Sequence, residues 1–245
     1  MKILLAPSET KRDGGDKEFN LDELFLSQIN SIREELIDSY LKVLNSNDMQ
    51  KISKMFGLKK EAEILKYIKD ITKEPTMLAI KRYIGVAFDF LDYDSLNLES
   101  KEYIKNSVLI FSNLFGVIRA KDYIPNYRLK QGEQIDNLKV DSIYKKALKE
   151  PLDAYLQNED ILDIRANYYN RFYKPSKFYT TLKFLKDGKV VSHWAKAYRG
   201  IILRELAINK VKNIDDFFKL NIQNLEIEEI RKNRNFQEII YKILD

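Results

Sequence analysis

The chain contains no cysteine and a single histidine, His193, across 245 residues. That excludes a disulfide scaffold, a cysteine zinc site, an iron–sulfur cluster and a thiol nucleophile. It also leaves little from which to build a histidine metal centre, so no metal and no cofactor is expected. Such a chain has to hold itself together by burying apolar surface, and its length is ample for that. Apolar content of 44% with 32% charged residues fits a folded chain. Eight glycines and five prolines form no linker, and no repeat or low-complexity tract stands out. The expectation is one domain over residues 1–245 of the α+β, or mixed α/β, class, with a mixed sheet and surrounding helices.

Hydrophobic spacing places the elements. Residues 3–6 read as a short buried strand feeding a loop over 7–17. Residues 21–44 carry helical spacing, with Leu24, Ile32, Leu36, Tyr40 and Val43 sharing a face. Two short helices over 47–56 and 60–69 are parted at Gly57-Leu58. Apolar runs at 108–111 and 161–164 read as buried strands, with a helix over 142–157 between them. Segments 178–185 and 190–192 flank Asp187-Gly188, a hairpin signal. A helix over 195–209 follows, with Ser192 placed to cap it, and the β-rich 238–244 reads as a last strand, with a helix as the alternative. The first apolar run is too short for a secretory signal, and no segment approaches the roughly 20 apolar residues of a membrane helix. A cytoplasmic protein without a membrane partner is the expectation.

The formal charge of +5 is unevenly spread. Residues 165–204 hold ten bases and one acid, Asp187, for a net +9; the remainder, with 32 bases and 36 acids, nets −4. Nine aromatics are interleaved with those bases, from Tyr168 to Tyr198. Cations neutralise phosphates and aromatic faces stack on bases, so the stretch is a candidate polyanion site. The plainer alternative is a lysine-rich surface over an aromatic core.

Five stretches carry chemistry. Pro7-Ser8-Glu9-Thr10-Lys11 follows the first strand, where loops present functional groups. Ile52-x-x-Met55-x-Gly57-Leu58, followed by Lys59, Lys60 and Ala62, approximates a helix-hairpin-helix over about 47–70, whose hairpin amides bind phosphates; a plain helical hairpin is the alternative. Residues 111–119, with Asp122, Pro125, Tyr127, Arg128 and Gly132, suggest a shaped loop with buried guanidiniums. Their partner is Asp122 or Asp163, or else an anionic ligand. Asp163-Ile164-Arg165 ends a strand. Ser192-His193-Trp194-Ala195-Lys196 with Arg199-Gly200 places Lys196 and Arg199 on one helical face, with Gly200 opening space beside Lys196.

Together these stretches resemble the YaaA family, bacterial cytoplasmic proteins associated with hydrogen-peroxide stress. The resemblance runs from Lys2 to about Val211 and is strongest over Leu114-Phe115-Gly116-Val117-Ile118-Arg119, Asp122, Pro125, Tyr127-Arg128-Leu129 and Gly132. Gly85, Phe88, Leu91, Asp92 and Tyr93 fit the same variant. The sequence departs from it at Phe88, where Tyr is common, and at Ala195, where Asn is common. The resemblance implies a mixed α/β domain with a helix-hairpin-helix element and a positively charged cleft. It also implies DNA binding that limits oxidative damage, with lowered intracellular iron. The cleft residues it implies are Ser8, Glu9, Lys11, Arg119, Tyr127, Arg128, Asp163, Arg165, His193, Lys196 and Arg199.

Two functions follow as expectations. One is a DNA-binding protein of the peroxide response. It would contact the backbone of duplex or structured DNA through Ser8, Lys59, Lys60, Arg119, Tyr127, Arg128, Arg165, Lys196 and Arg199. The other is an enzyme acting on a small phosphorylated or nucleotide-like anion, with Glu9, Lys11, Asp163, His193 and Lys196 as catalytic candidates. Direct iron binding would need a carboxylate cluster, and no Glu-x-x-His motif is present.

Overall fold

The computed structural model describes residues 1–244, apart from the side chain of Ser192. The chain runs through β1 (Lys2–Leu5), α1 (Asn30–Asn45), α2 (Met49–Phe56), α3 (Glu61–Leu65), β2 (Thr76–Leu78), α4 (Ala79–Arg82), α5 (Val86–Leu91) and α6 (Leu98–Ser107). It continues through β3 (Val108–Ser112), β4 (Gly116–Arg119), β5 (Tyr123–Pro125), α7 (Val140–Leu156), β6 (Ile161–Asp163), β7 (Tyr179–Lys186) and β8 (Lys189–Val190). Then come α8 (Ser192–Ile208), α9 (Ile214–Phe217), β9 (Leu225–Lys232) and β10 (Phe236–Ile243).

An eight-stranded sheet has the order β4-β3-β1-β6-β7-β10-β9, with β8 beside β7. β3, β1, β6, β7 and β10 are mutually parallel, while β4 and β9 pair antiparallel at the edges. The fold is mixed α/β, as its sequence implies. Buried apolar residues from Ile3 to Ile243 join in one core. β3 is buried along its whole length and β1 at its last three residues. That is why both read as unbroken apolar runs rather than as alternation.

Numbered among themselves, the five parallel strands have the order 2-1-3-4-5. The chain leaves β1 toward β3 on one side and later returns to β6 on the other. Between β1 and β6 the connections therefore diverge, and in open sheets that divergence opens a crevice at the carboxyl ends of the two strands.

Local differences from the expected elements have local causes. The helix expected over 21–44 begins only at Asn30, because Leu26 takes a left-handed φ of 57° and breaks the regular backbone. Its buried face still includes Leu36, Tyr40 and Val43. The stretch expected as a helix over 60–69 is regular only over Glu61–Leu65. The hairpin at Asp187-Gly188 forms with φ of 50° and 71°, both positive as a two-residue turn prefers. β8 stops at Val190, and α8 begins at Ser192 rather than 195, with Val191 in the capping position. The cap expected from the Ser192 side chain lies outside the described residues.

Candidate functional site

The crevice between β1 and β6 holds a cavity of about 370 Å³. Its floor and walls come from five places: the end of β1 with the loop Ala6–Glu9 beyond it, Gly85–Phe88 at the start of α5, Gln131, Ala166 and Tyr169 beyond β6, and Lys196 and Arg199 on α8. Gly200 determines how these parts meet. A Cβ there would overlap the Ala87 carbonyl oxygen and crowd the Leu91 amide, so only glycine lets the α5 and α8 backbones touch. The space that Gly200 leaves is filled by α5, which brings Lys196 and Arg199 against the Gly85–Phe88 wall.

Most charges around the cavity are already committed. The Glu9 carboxylate accepts from Arg128 Nη2 at 3.0 Å and from the Gln131 amide at 2.9 Å. Asp163 accepts from Arg165 Nε at 2.8 Å, Nη2 at 2.6 Å and the Arg165 amide at 3.1 Å. That guanidinium also donates to the Tyr169 and Tyr173 carbonyls and lies over Phe111. The buried pair ties the loop that follows β6 to the sheet, and every nitrogen of the Arg165 guanidinium is hydrogen-bonded within the fold. β6 ends at Asp163 and the chain bends at Arg165, so the Arg165 amide and guanidinium both turn back onto the Asp163 carboxylate.

Lys11 is buried beneath the same loop. Its Nζ donates to the Ser8 and Glu9 carbonyls and lies 3.8 Å from the centre of the Tyr127 ring. Burial first, and then the Arg128 charge, hold its amine well below the usual lysine value. Beside it the hydroxyls of Ser112, Tyr127 and Tyr83 form a chain, with spacings of 2.7 and 3.0 Å. Burial raises both tyrosines above the ordinary phenol value, so the chain stays protonated.

Two cations remain uncommitted. Among the described residues, neither Lys196 nor Arg199 makes an ion pair, and Arg199 Nε is buried without any hydrogen-bond partner. Burial lowers the Arg199 guanidinium from its usual value, with Asp163 opposing weakly from a distance.

The other expected residues disperse. Arg119 pairs with Asp122 at 2.7 Å near the edge strand β4, where the guanidinium reaches the Glu23 carbonyl. Tyr127 is almost fully buried, His193 is exposed on α8, and Ser8 lines the cavity. Of the nine interleaved aromatics, six are core residues; Phe178 and Trp194 are the exposed ones. The aromatic periodicity of that stretch thus mainly builds the interior.

Lys59 and Lys60 are exposed on the turn between α2 and α3. Gly57 closes α2 with φ of 65°, the Leu58 amide reaching back to the Ser53 carbonyl. A Cβ at Gly57 would come within 2.5 Å of the Lys130 side chain, and the Lys130 amide donates to the Met55 carbonyl. Residue 131, one step along the chain, lines the cavity. Lys130 and Gln131 stand between the motif residues Arg128 and Gly132, but the motif did not single them out. Arg33 and Arg82 were missed too; each is fully buried and donates chiefly to main-chain carbonyls. Among the described residues no three His, Cys, Asp or Glu side chains gather as a metal site would require, and no helix is long and apolar enough to cross a membrane.

Comparison with known proteins matches residues 1–231 to the family model described as "Peroxide stress protein YaaA". The uncharacterized protein Cj0984 of Campylobacter jejuni is 41% identical, covering 100% of both chains. A UPF0246 protein of Corynebacterium efficiens is 33% identical over 84% of this chain and 85% of its own. Another, from Fusobacterium nucleatum, is 27% identical over 96% of this chain and 97% of its own. With the family match spanning residues 1–231, the chain belongs to the peroxide stress protein YaaA family.

Proposed function

We propose that this protein serves in the peroxide response by binding DNA through its phosphate backbone. The observation that carries the reading is the link made by residues 130 and 131. Lys130 packs on the α2–α3 turn, which exposes Lys59 and Lys60, while Gln131 belongs to the rim of the cavity that holds Lys196 and Arg199. Consecutive Cα atoms lie about 3.8 Å apart, so the turn and the rim lie close to one another. A backbone-tracking surface needs such a run of exposed cations with few acids between them, and it needs no base-specific groups.

Of the acids near this run, Glu9 is engaged by Arg128, Glu133 by Lys130 at 3.4 Å and Glu63 by Lys60 at 3.9 Å, while Glu61 is exposed beside Lys60. Binding of this kind has little sequence preference and weakens steeply with salt. Fluorescence anisotropy with a labelled duplex, across a salt series, tests it. Binding at low salt that weakens in Lys59→Glu/Lys60→Glu, with the thermal melt unchanged, supports the reading. No binding at low salt overturns it.

A further inference from the structure

We propose that the cavity between β1 and β6 is a phosphomonoester site, with Arg199 and Lys196 holding the phosphate. This goes beyond backbone binding and does not depend on it.

In the buried arginines every guanidinium nitrogen is hydrogen-bonded within the fold. Arg33, Arg82 and Arg165, all buried, find acceptors for their donors on carbonyls or on Asp163. Arg199 alone among the described arginines keeps a buried nitrogen with no partner. An unsatisfied buried donor costs about 1–3 kcal/mol, and more when it is charged. Folded chains keep such a group where a ligand completes it. Internal anions cannot do so here. Asp163, the acid whose field reaches Arg199, already accepts three bonds from Arg165. Glu9, the one acid on the cavity wall, is held by Arg128 and Gln131.

Charge and shape then choose the ligand. Lys196 and Arg199 are three positions apart on α8 and project side by side. Two cations match a dianion, and a guanidinium fork beside an ammonium point charge suits phosphate oxygens. Pro7, Val86, Phe88 and Tyr169 supply apolar wall. At about 370 Å³ the space exceeds a bare phosphate ion and suits a small organic ester. A phosphomonoester can arrive as a free metabolite of nucleotide size, or as the terminal phosphate of a DNA strand led in past Lys130.

The test uses the full chain and two probes. Calorimetric titration compares adenosine 5′-monophosphate with adenosine, on wild type, Arg199→Met and the exposed-site variant Lys196→Ala. Anisotropy compares duplexes that differ only in a 5′-phosphate or a 5′-hydroxyl end. The expected result is phosphate-dependent binding of one probe or both, weakened about tenfold or more in each variant, a ratio that reports one lost charged contact. Which probe responds identifies the source of the ester. The ligand-free melting temperature of Arg199→Met is expected to rise, since an uncompensated buried charge is removed; a merely structural arginine would give a fall. Phosphate-independent binding of both probes, or full phosphate dependence retained in both variants, overturns the proposal. Duplex binding indifferent to its ends would leave the backbone reading standing. Nucleotide binding without duplex affinity would do the reverse.

Discussion

Asp163 shows at the scale of one residue how a motif can be visible in sequence while its role stays open between a buried pair and a ligand contact. The spacing Asp-x-Arg was visible, but so was the possibility that either charge faced a ligand. The structure pairs the two in the interior, and removing one partner of a buried pair leaves the other charge uncompensated. Asp163→Asn should therefore cost about 3 kcal/mol of stability, measured by denaturant unfolding; a loss near zero would mean that water reaches Arg165. Lys11 permits a pH test with a definite sign. Its amine lies below 10.5 in the folded state through burial and the Arg128 and Arg82 charges, against the pull of Glu9. Between that depressed value and 10.5 the unfolded chain binds more protons, so stability contributed by Lys11 rises with pH across the window. Relative to Lys11→Met, which lacks the titration, wild type should gain melting temperature as pH rises toward 10.5. A constant difference would show that Lys11 titrates normally.

Among the elements, those with local signals were legible and those defined by their neighbours were not. The Asp187-Gly188 hairpin and the apolar strands β1, β3 and β6 carry turn chemistry or uninterrupted burial in their own residues. β9 does not: exposed along nearly its whole length and rich in Glu, Arg and Lys, it is a strand because β10 pairs with it. The six-residue α5 is likewise fixed by its packing on α8. Gly200 was correctly marked as a source of space, though what fills that space is helix rather than ligand. Gly200→Ala must push the two backbones apart, at a cost of about 1–3 kcal/mol. Faster hydrogen exchange at the α5 amides would accompany it; unchanged exchange would mean that the helices do not bear on one another as described.

For the whole molecule, the +9 segment does not act as one patch. Arg165 is sealed in the core, Arg171 and Arg204 face Asp141 and Asp92, and Lys177 donates to the Gln157 and Glu159 carbonyls. Summed charge along a chain cannot distinguish such spent cations from available ones, because the spending partners lie elsewhere in sequence. At the crevice Lys196 and Arg199 make no ion pair, and on the α2–α3 turn Lys59 is exposed beside Lys60, which pairs with Glu63 at 3.9 Å. The central claim is that these cations form one continuous anion-binding face. The direct measurement is the salt dependence of duplex affinity for wild type and for Lys59→Ala/Lys60→Ala/Lys130→Ala. Each phosphate neutralised contributes about −0.9 to the slope of log K against log salt, so the triple variant should have a slope shallower by about 2–3. A slope unchanged by the three substitutions would contradict the claim.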